Sequence, residues 1–348
     1  MTIRLAVVDD SAFVRKAISR MLQDEKDVVI AGLAARGEEL IDHLDEWSPT
    51  IVTLDLSMPG MGGLATLEKI LAWRRIPVLI VSGHSSREAP LAVEALNRGA
   101  ADFIDKQDFS LVDFQGLRAT ILEKLRALTS GECTLPEPLP QPHAPVVRNE
   151  PGAFDLVVIG ASTGGPPAIE FLLEAFDGPP SVPIAIVQHM PAGFTSALAE
   201  RLNGRMPFPV EEATHNRLLV PGSVYIAPAG SHLRIRFEAG QMWTSLARYP
   251  ETQHKPSVDV LFRSAITLGS RVLGVLLTGM GDDGARGLLE LSQSGALTIA
   301  QDERSSAVYG MPRAAAELGA AAEQLALSDI AVRLRYLLGR NVLAYPPP

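Results

Sequence analysis

The sequence predicts an α/β protein of two domains, each built on a mostly parallel sheet. Three observations carry that expectation. Short β-rich runs alternate with amphipathic helical stretches in both halves of the 348-residue chain, the grammar of βαβ crossovers. Between Gly131 and Gly152 the alternation stops, and six prolines (136, 138, 140, 142, 145 and 151) enter with no helical or strand period, as in a semi-extended linker. A hydrophobic content of 47% gives each half the material for its own core.

The expected organisation is a first domain over 1–128, a Pro-rich linker over 129–152 and a second domain over 153–345. In the first domain the β-rich runs are Arg4–Val8, Val28–Leu33, Ile51–Leu54, Val78–Ser82 and Ala101–Ile104. Helical patterns between them imply a doubly wound parallel sheet. In the second they are Leu156–Ile159, Ile184–Gln188, Ser223–Ala227, Val272–Thr278 and Leu297–Ala300, with an antiparallel insertion near Leu233–Trp243. No internal repeat of fixed period interrupts either half.

Bulk chemistry narrows the function. A formal net charge of -9 without a basic run argues against nucleic acid or an anionic membrane as partner. The single cysteine, Cys133, allows neither an internal disulfide nor a zinc knuckle. The start MTIRLAVVDD leads straight into an apolar strand-like run, unlike a secretory signal. No later apolar stretch reaches the roughly 18 to 20 residues of a membrane span. A soluble, cytoplasmic protein is expected, with no membrane insertion.

In the first domain, Asp9 and Asp10 follow the first strand and Asp55 follows the third. All three should meet at the carboxyl edge of the sheet, where open α/β folds bind ligands. Any one strand-end aspartate is commonly a turn former. Three together repel, and a hard divalent cation such as Mg²⁺ compensates them. Ser82 ends the fourth strand and Lys106 follows the fifth, adding a hydroxyl and an ammonium able to hold phosphate oxygens.

Over about the first 125 residues this constellation resembles the response-regulator receiver family. The resemblance implies a flavodoxin-like doubly wound sheet in which Asp55 accepts a phosphoryl group from a histidine kinase. It further implies that Asp9 and Asp10 hold Mg²⁺ together with Asp55, that Ser82 and Lys106 sense the phosphate, and that Phe103 is the switching aromatic. Gln107 stands where the family usually has the proline after its lysine, so the cis Lys-Pro bond expected there is not available.

In the second domain, Val157–Ile159 run into Gly160-Ala161-Ser162-Thr163-Gly164-Gly165 and then a helical pattern near Pro166. G-x-S-x-G is the spacing that lifts a serine hydroxyl off a strand-to-helix turn, and helix-start N–H groups can stabilise an oxyanion. Alone, the pattern is a common Gly-Ser turn. A serine nucleophile needs a base, and seven histidines compete: 43, 84, 143, 189, 215, 232 and 254. His189 alone directly follows a strongly apolar strand of this domain, Ile184–Gln188, with His232 and His254 as its rivals. A carboxylate to orient the imidazole is offered twice after Val272–Thr278, by Asp282 and Asp283. Gly279, Gly281 and Gly284 also spell G-x-G-x-x-G, with Asp302 downstream, which suggests a dinucleotide site. Two aspartates inside that loop would repel a pyrophosphate.

The segments GASTGGP, QHMPAGFT, HKPSVDVLF, LLTGMGDDGA and VYGMPRAA closely resemble the catalytic domain of the CheB chemotaxis methylesterase family. With receiver and linker the resemblance covers nearly the whole chain. It implies phosphorylation-activated hydrolysis of glutamate γ-methyl esters on methyl-accepting chemoreceptors, deamidation of receptor glutamines, and a kinase of the CheA type as phosphodonor. Motif by motif it implies Ser162 as nucleophile, His189 as base and acid, and Asp283 as orienting carboxylate. Thr163 and Met280 then belong to the oxyanion and substrate wall, and no cofactor serves the esterase reaction. The family commonly carries Asn where Asp282 stands. It also implies that the unphosphorylated receiver covers the active-site face. The rival reading is a phosphorylation-controlled binding module that uses a hydrolase-like domain only to sequester a partner.

Overall fold

The computed structural model describes residues 2–83, 85, 88–106, 114–130 and 154–339. Most of the expected linker, with Cys133 and His143, lies outside the described residues, as do His84 and Gln107. The chain divides into two compact units, Met1–Glu137 and Pro138–Pro348.

In the first unit, β1 (Ile3–Val8), β2 (Val28–Ala34), β3 (Ile51–Asp55), β4 (Val78–Ser82) and β5 (Asp102–Asp105) form a five-stranded sheet in the order β2-β1-β3-β4-β5. Every pairing is parallel. Helices α1 (Ala12–Leu22), α2 (Gly37–Trp47), α3 (Gly62–Trp73) and α4 (Glu88–Asn97) supply the crossovers, and α5 (Phe114–Thr129) follows the last strand. The central strands β3 and β4 are buried along their whole length, as continuous apolar runs covered on both faces must be. Helix α5 ends at Thr129, one residue inside the stretch expected to be linker.

The second unit carries a seven-stranded sheet ordered β14-β13-β12-β6-β7-β9-β8. Its strands are β6 (Leu156–Ala161), β7 (Ile184–Gln188), β8 (Val210–Glu212), β9 (Val224–Ile226), β12 (Val272–Leu276), β13 (Leu297–Gln301) and β14 (Glu323–Leu325). All pair in parallel. The antiparallel insertion is the hairpin β10 (His232–Glu238) and β11 (Gln241–Ala247), a separate two-stranded sheet. Helices α6 (Gly165–Glu174), α7 (Phe194–Arg205), α8 (Val258–Ala265), α9 (Ala285–Gln293), α10 (Met311–Glu317) and α11 (Leu327–Leu338) complete the unit. Residues Val158, Ala185, Leu261, Phe262, Leu276 and Leu288 belong to one buried core.

Register decides what the carboxyl edge of this sheet presents. Gly160 pairs with Leu276 on one side and Val187 on the other, and Ala161 pairs with Gln188. The chain therefore leaves β12, β6 and β7 at neighbouring points of one edge.

Candidate functional site

At the edge of the first sheet, Asp9 and Asp55 are buried and Asp10 is exposed. Their carboxylate oxygens lie within 4.8 Å of one another. Backbone N–H groups of Ser11 and Ser57 donate to Asp9 Oδ1 and Asp55 Oδ1 at 2.8 and 3.0 Å. The Lys106 ammonium lies 2.6 Å from Asp55 Oδ2 and 3.1 Å from Asp9 Oδ2. Burial pushes the Asp9 carboxyl above its ordinary value; Lys106 pulls against that rise, and the Asp55 charge adds to it. Burial likewise disfavours the Lys106 ammonium, but Asp55 and Asp9 overcome it and hold its pKa above the ordinary value. Three carboxylates sharing one ammonium are short of positive charge, and an all-oxygen donor set of this span fits a hard divalent cation. Ser82 is buried at the end of β4, one residue beyond the pair Asp55–Val81. Phe103 is buried on β5 opposite Ile80.

At the edge of the second sheet, β6 delivers Ser162, β7 delivers His189, and the loop after β12 delivers Asp283. Ser162 donates its backbone N–H to Thr278 O at 3.0 Å. Its carbonyl accepts from Gly165 N–H (2.8 Å) and from Gln188 Nε2 (2.8 Å). The left-handed position of this turn is Gly164, at φ 75°, rather than the serine. Gly279 leaves no space for a side chain: a Cβ there would lie 2.7 Å from Ser162 Cβ and 2.3 Å from Met311 Sδ. The loop after β12 and the turn after β6 can approach this closely only through a glycine.

The imidazole of His189 is nearly enclosed, and its Nε2–H donates to Asp283 Oδ2 at 2.8 Å. With Nε2 so engaged, Nδ1 is the acceptor of the neutral ring, and this buried atom has no hydrogen-bond partner among the described residues. Asp283 receives three further donors: Ser257 Oγ–H at 2.8 Å, Val258 N–H at 2.7 Å and Asp259 N–H at 3.1 Å. Two of these belong to the first turn of α8, where N–H groups lack intrahelical partners and favour an anion. Burial disfavours the charged carboxylate, yet the His189 bond and charge and the α8 amides outweigh it and hold Asp283 at about 2. Asp282 is exposed. Asp259 in turn accepts from Gly284 N–H (3.0 Å) and Gly287 N–H (2.7 Å) at the start of α9, so Asp259 of α8 serves the start of α9 while Asp283, just before α9, serves the start of α8.

Both rival histidines stand beside this group in other roles. His254 stacks on His189, with centroids 4.1 Å apart and planes 17° apart. His232 is buried; its Nε2–H donates to Pro250 O at 2.8 Å and its Nδ1 accepts from Ser257 N–H at 3.2 Å. Burial lowers its pKa, in keeping with a neutral ring that uses both nitrogens. Thr163 is buried, its carbonyl accepting from Thr278 Oγ1 at 2.9 Å, while Met280 is half-buried. The glycine-rich loop is unlike a pyrophosphate cradle: Gly279 O accepts from Gly310 and Met311 N–H, and Asp302 is taken up by Ser305.

Ser257 and the α8 amides were absent from the sequence expectations. Their signal was a serine N-cap: Ser257 Oγ accepts from Val260 N–H at 3.4 Å, within HKPSVDVLF, as capping serines do.

The CheB methylesterase family model matches residues 157–334, and the response regulator receiver domain model matches residues 5–114. Protein-glutamate methylesterase/protein-glutamine glutaminase 3 of Shewanella oneidensis is 40% identical, over 94% of this chain and 97% of its own. A protein of the same name, numbered 1, from Oleidesulfovibrio alaskensis is 37% identical, over 94% and 97%. The crystal structure of the Thermotoga maritima CheB methylesterase catalytic domain is 36% identical, with a TM-score of 0.50. It matches 52% of this chain and 97% of its own.

Proposed function

The chain belongs to the CheB methylesterase family, in the form that carries a response regulator receiver domain, and from that premise we propose a serine-hydrolase mechanism run by Ser162, His189 and Asp283. The activity is that of a protein-glutamate methylesterase and protein-glutamine glutaminase acting on chemoreceptors, regulated by phosphorylation from a histidine kinase. A kinase of the CheA type and a cytoplasmic location are the finer readings.

One observation carries the mechanism: His189 gives Nε2–H to an ionised Asp283 and keeps a buried, unpartnered Nδ1. In its neutral form, an imidazole so arranged is a base waiting for a hydroxyl proton. Ser162 Oγ attacks the γ-carbonyl carbon as its proton passes to Nδ1, and the imidazolium is stabilised by Asp283. The same proton goes to the leaving group, which departs as methanol from an ester or ammonia from an amide. Water then gives a proton to Nδ1 and adds to the acyl-enzyme, and its collapse returns that proton to Ser162 Oγ and frees the glutamate. Thr163 and Met280 border the carbonyl oxygen as the oxyanion and substrate wall.

In the receiver, Asp55 is the phosphoryl acceptor, and Asp9, Asp10 and Asp55 would hold Mg²⁺. Bound there, Mg²⁺ would neutralise charge that develops on the transferring phosphoryl group. Lys106 is already within ion-pair reach of Asp55 and would follow the phosphoryl oxygens. Ser82 would donate its hydroxyl to them, with Phe103 as the aromatic that responds. Phosphorylation activates the esterase. Ser162→Ala tests the assignment: methanol release from methylated receptor is lost while Asp55 still takes up phosphate, and retained release would sink it.

A further inference from the structure

We propose that His254 is a positioning residue for His189, its ring fixing the plane in which Nδ1 meets the serine hydroxyl. This rests on the reading of His189 as the base. A histidine ring turns easily about its second side-chain torsion. The bond from Nε2 to Asp283 Oδ2 fixes one ring atom and leaves the ring free to tilt about it. Where the Nδ1 lone pair points then depends on what lies against the ring face.

His254 lies there, 4.1 Å from centroid to centroid and 17° from parallel. Its own backbone is held on both sides. Thr252 Oγ1 donates to His254 O at 2.6 Å, and Gly230 N–H donates to Lys255 O at 2.9 Å. The buried His232 ring ties the ends of the segment by bonding Pro250 O and Ser257 N–H. Residues 250–259 thus form one strap that presents an aromatic face to the imidazole and, a turn later, Ser257 Oγ and two α8 amides to Asp283. The strap positions both halves of the His–Asp pair.

The test measures kcat and KM for methanol release by the full chain carrying His254→Ala, His254→Phe or His254→Leu, beside His189→Ala. A stacked aromatic pair accounts for roughly a tenfold rate effect. His254→Ala should therefore lose about tenfold in kcat with KM within about twofold, and His254→Phe, which keeps a ring, should recover to within about threefold of the parent. His254→Leu keeps bulk without a ring and should stay low even where thermal unfolding matches that of His254→Phe. Parental kcat in His254→Ala overturns the proposal, as does equal kcat in the Leu and Phe variants. If His254→Ala fails to fold, the comparison of Leu with Phe decides. Full activity in His189→Ala overturns the triad instead, so the two failures are distinct.

Discussion

Val258 and His189 meet at a single atom: the backbone N–H of one and the Nε2–H of the other both end on Asp283 Oδ2, at 2.7 and 2.8 Å. A helix N-terminus and an imidazole thereby share one carboxylate oxygen, and the charge that orients the ring also caps α8. On the proposed mechanism, catalysis and local stability are joined at Asp283.

Asp283→Asn should therefore be costly in both respects. An amide offers its nitrogen where an acceptor is needed, and loss of the orienting carboxylate lowers kcat on the order of 10⁴-fold. The exposed Asp282 has no such role, so Asp282→Asn should stay within about twofold of the parent. Methanol-release rates for the two variants separate the neighbouring aspartates, and equal losses would contradict the assignment.

The pH dependence of stability follows from the same residue. Asp283 titrates at about 2 in the folded protein against an ordinary 3.8. A depressed carboxylate contributes stability that is fully present above its unfolded pKa and lost as pH falls through the folded one. The stability difference between parent and Asp283→Asn should be full near neutrality and shrink as pH falls from about 4 toward 2. Urea unfolding at a series of pH values reads this directly; a difference that grows on acidification would contradict it.

Gly279→Ala places a methyl against Ser162 Cβ and Met311 Sδ. Separating the loop after β12 from the turn after β6 costs about 1–3 kcal/mol and shifts the serine. Thermal unfolding should fall and methanol release should drop by more than the loss of folded protein explains. In α7, a Cβ at Gly204 meets nothing within 4 Å among the described residues, and Gly204→Ala should be neutral or stabilise by about 0.5–1 kcal/mol.

Asp55→Asn removes the proposed phosphoryl acceptor and changes no residue of the second unit. Phosphate uptake from a small acyl phosphate should vanish, basal ester hydrolysis should persist, and stimulation by the phosphodonor should be lost. Chelation of divalent cations should block uptake in the parent in the same way. Stimulation that survives Asp55→Asn would place the acceptor elsewhere.

The sheets were legible because their strands are continuous apolar runs between helical patterns. The strands β8 and β14 were not: Val-Glu-Glu and Glu-Gln-Leu are three residues long, mostly polar and set at the sheet edges, too short for any period to register. Ser162 and His189 were placed by the strands they follow. Local pattern did not separate Asp282 from Asp283, and the family resemblance alone favoured Asp283: both occupy one loop, and the donors that reach Asp283 come from Ser257 and the first turn of α8, 24 to 26 residues earlier. His232 and His254 were equally opaque as polar loop residues, since a ring's partners depend on what folds against it.

The three residues of the site leave three adjacent strands, and the sheet order β12-β6-β7 puts the last-made strand beside the first. A ribosome that has released the chain only as far as Arg271 has produced the serine and the imidazole, but neither the carboxylate nor the strand that seats it. On the proposed mechanism, full hydrolytic competence arrives late in synthesis, and a chain that stops short of β12 lacks the carboxylate that orients its base.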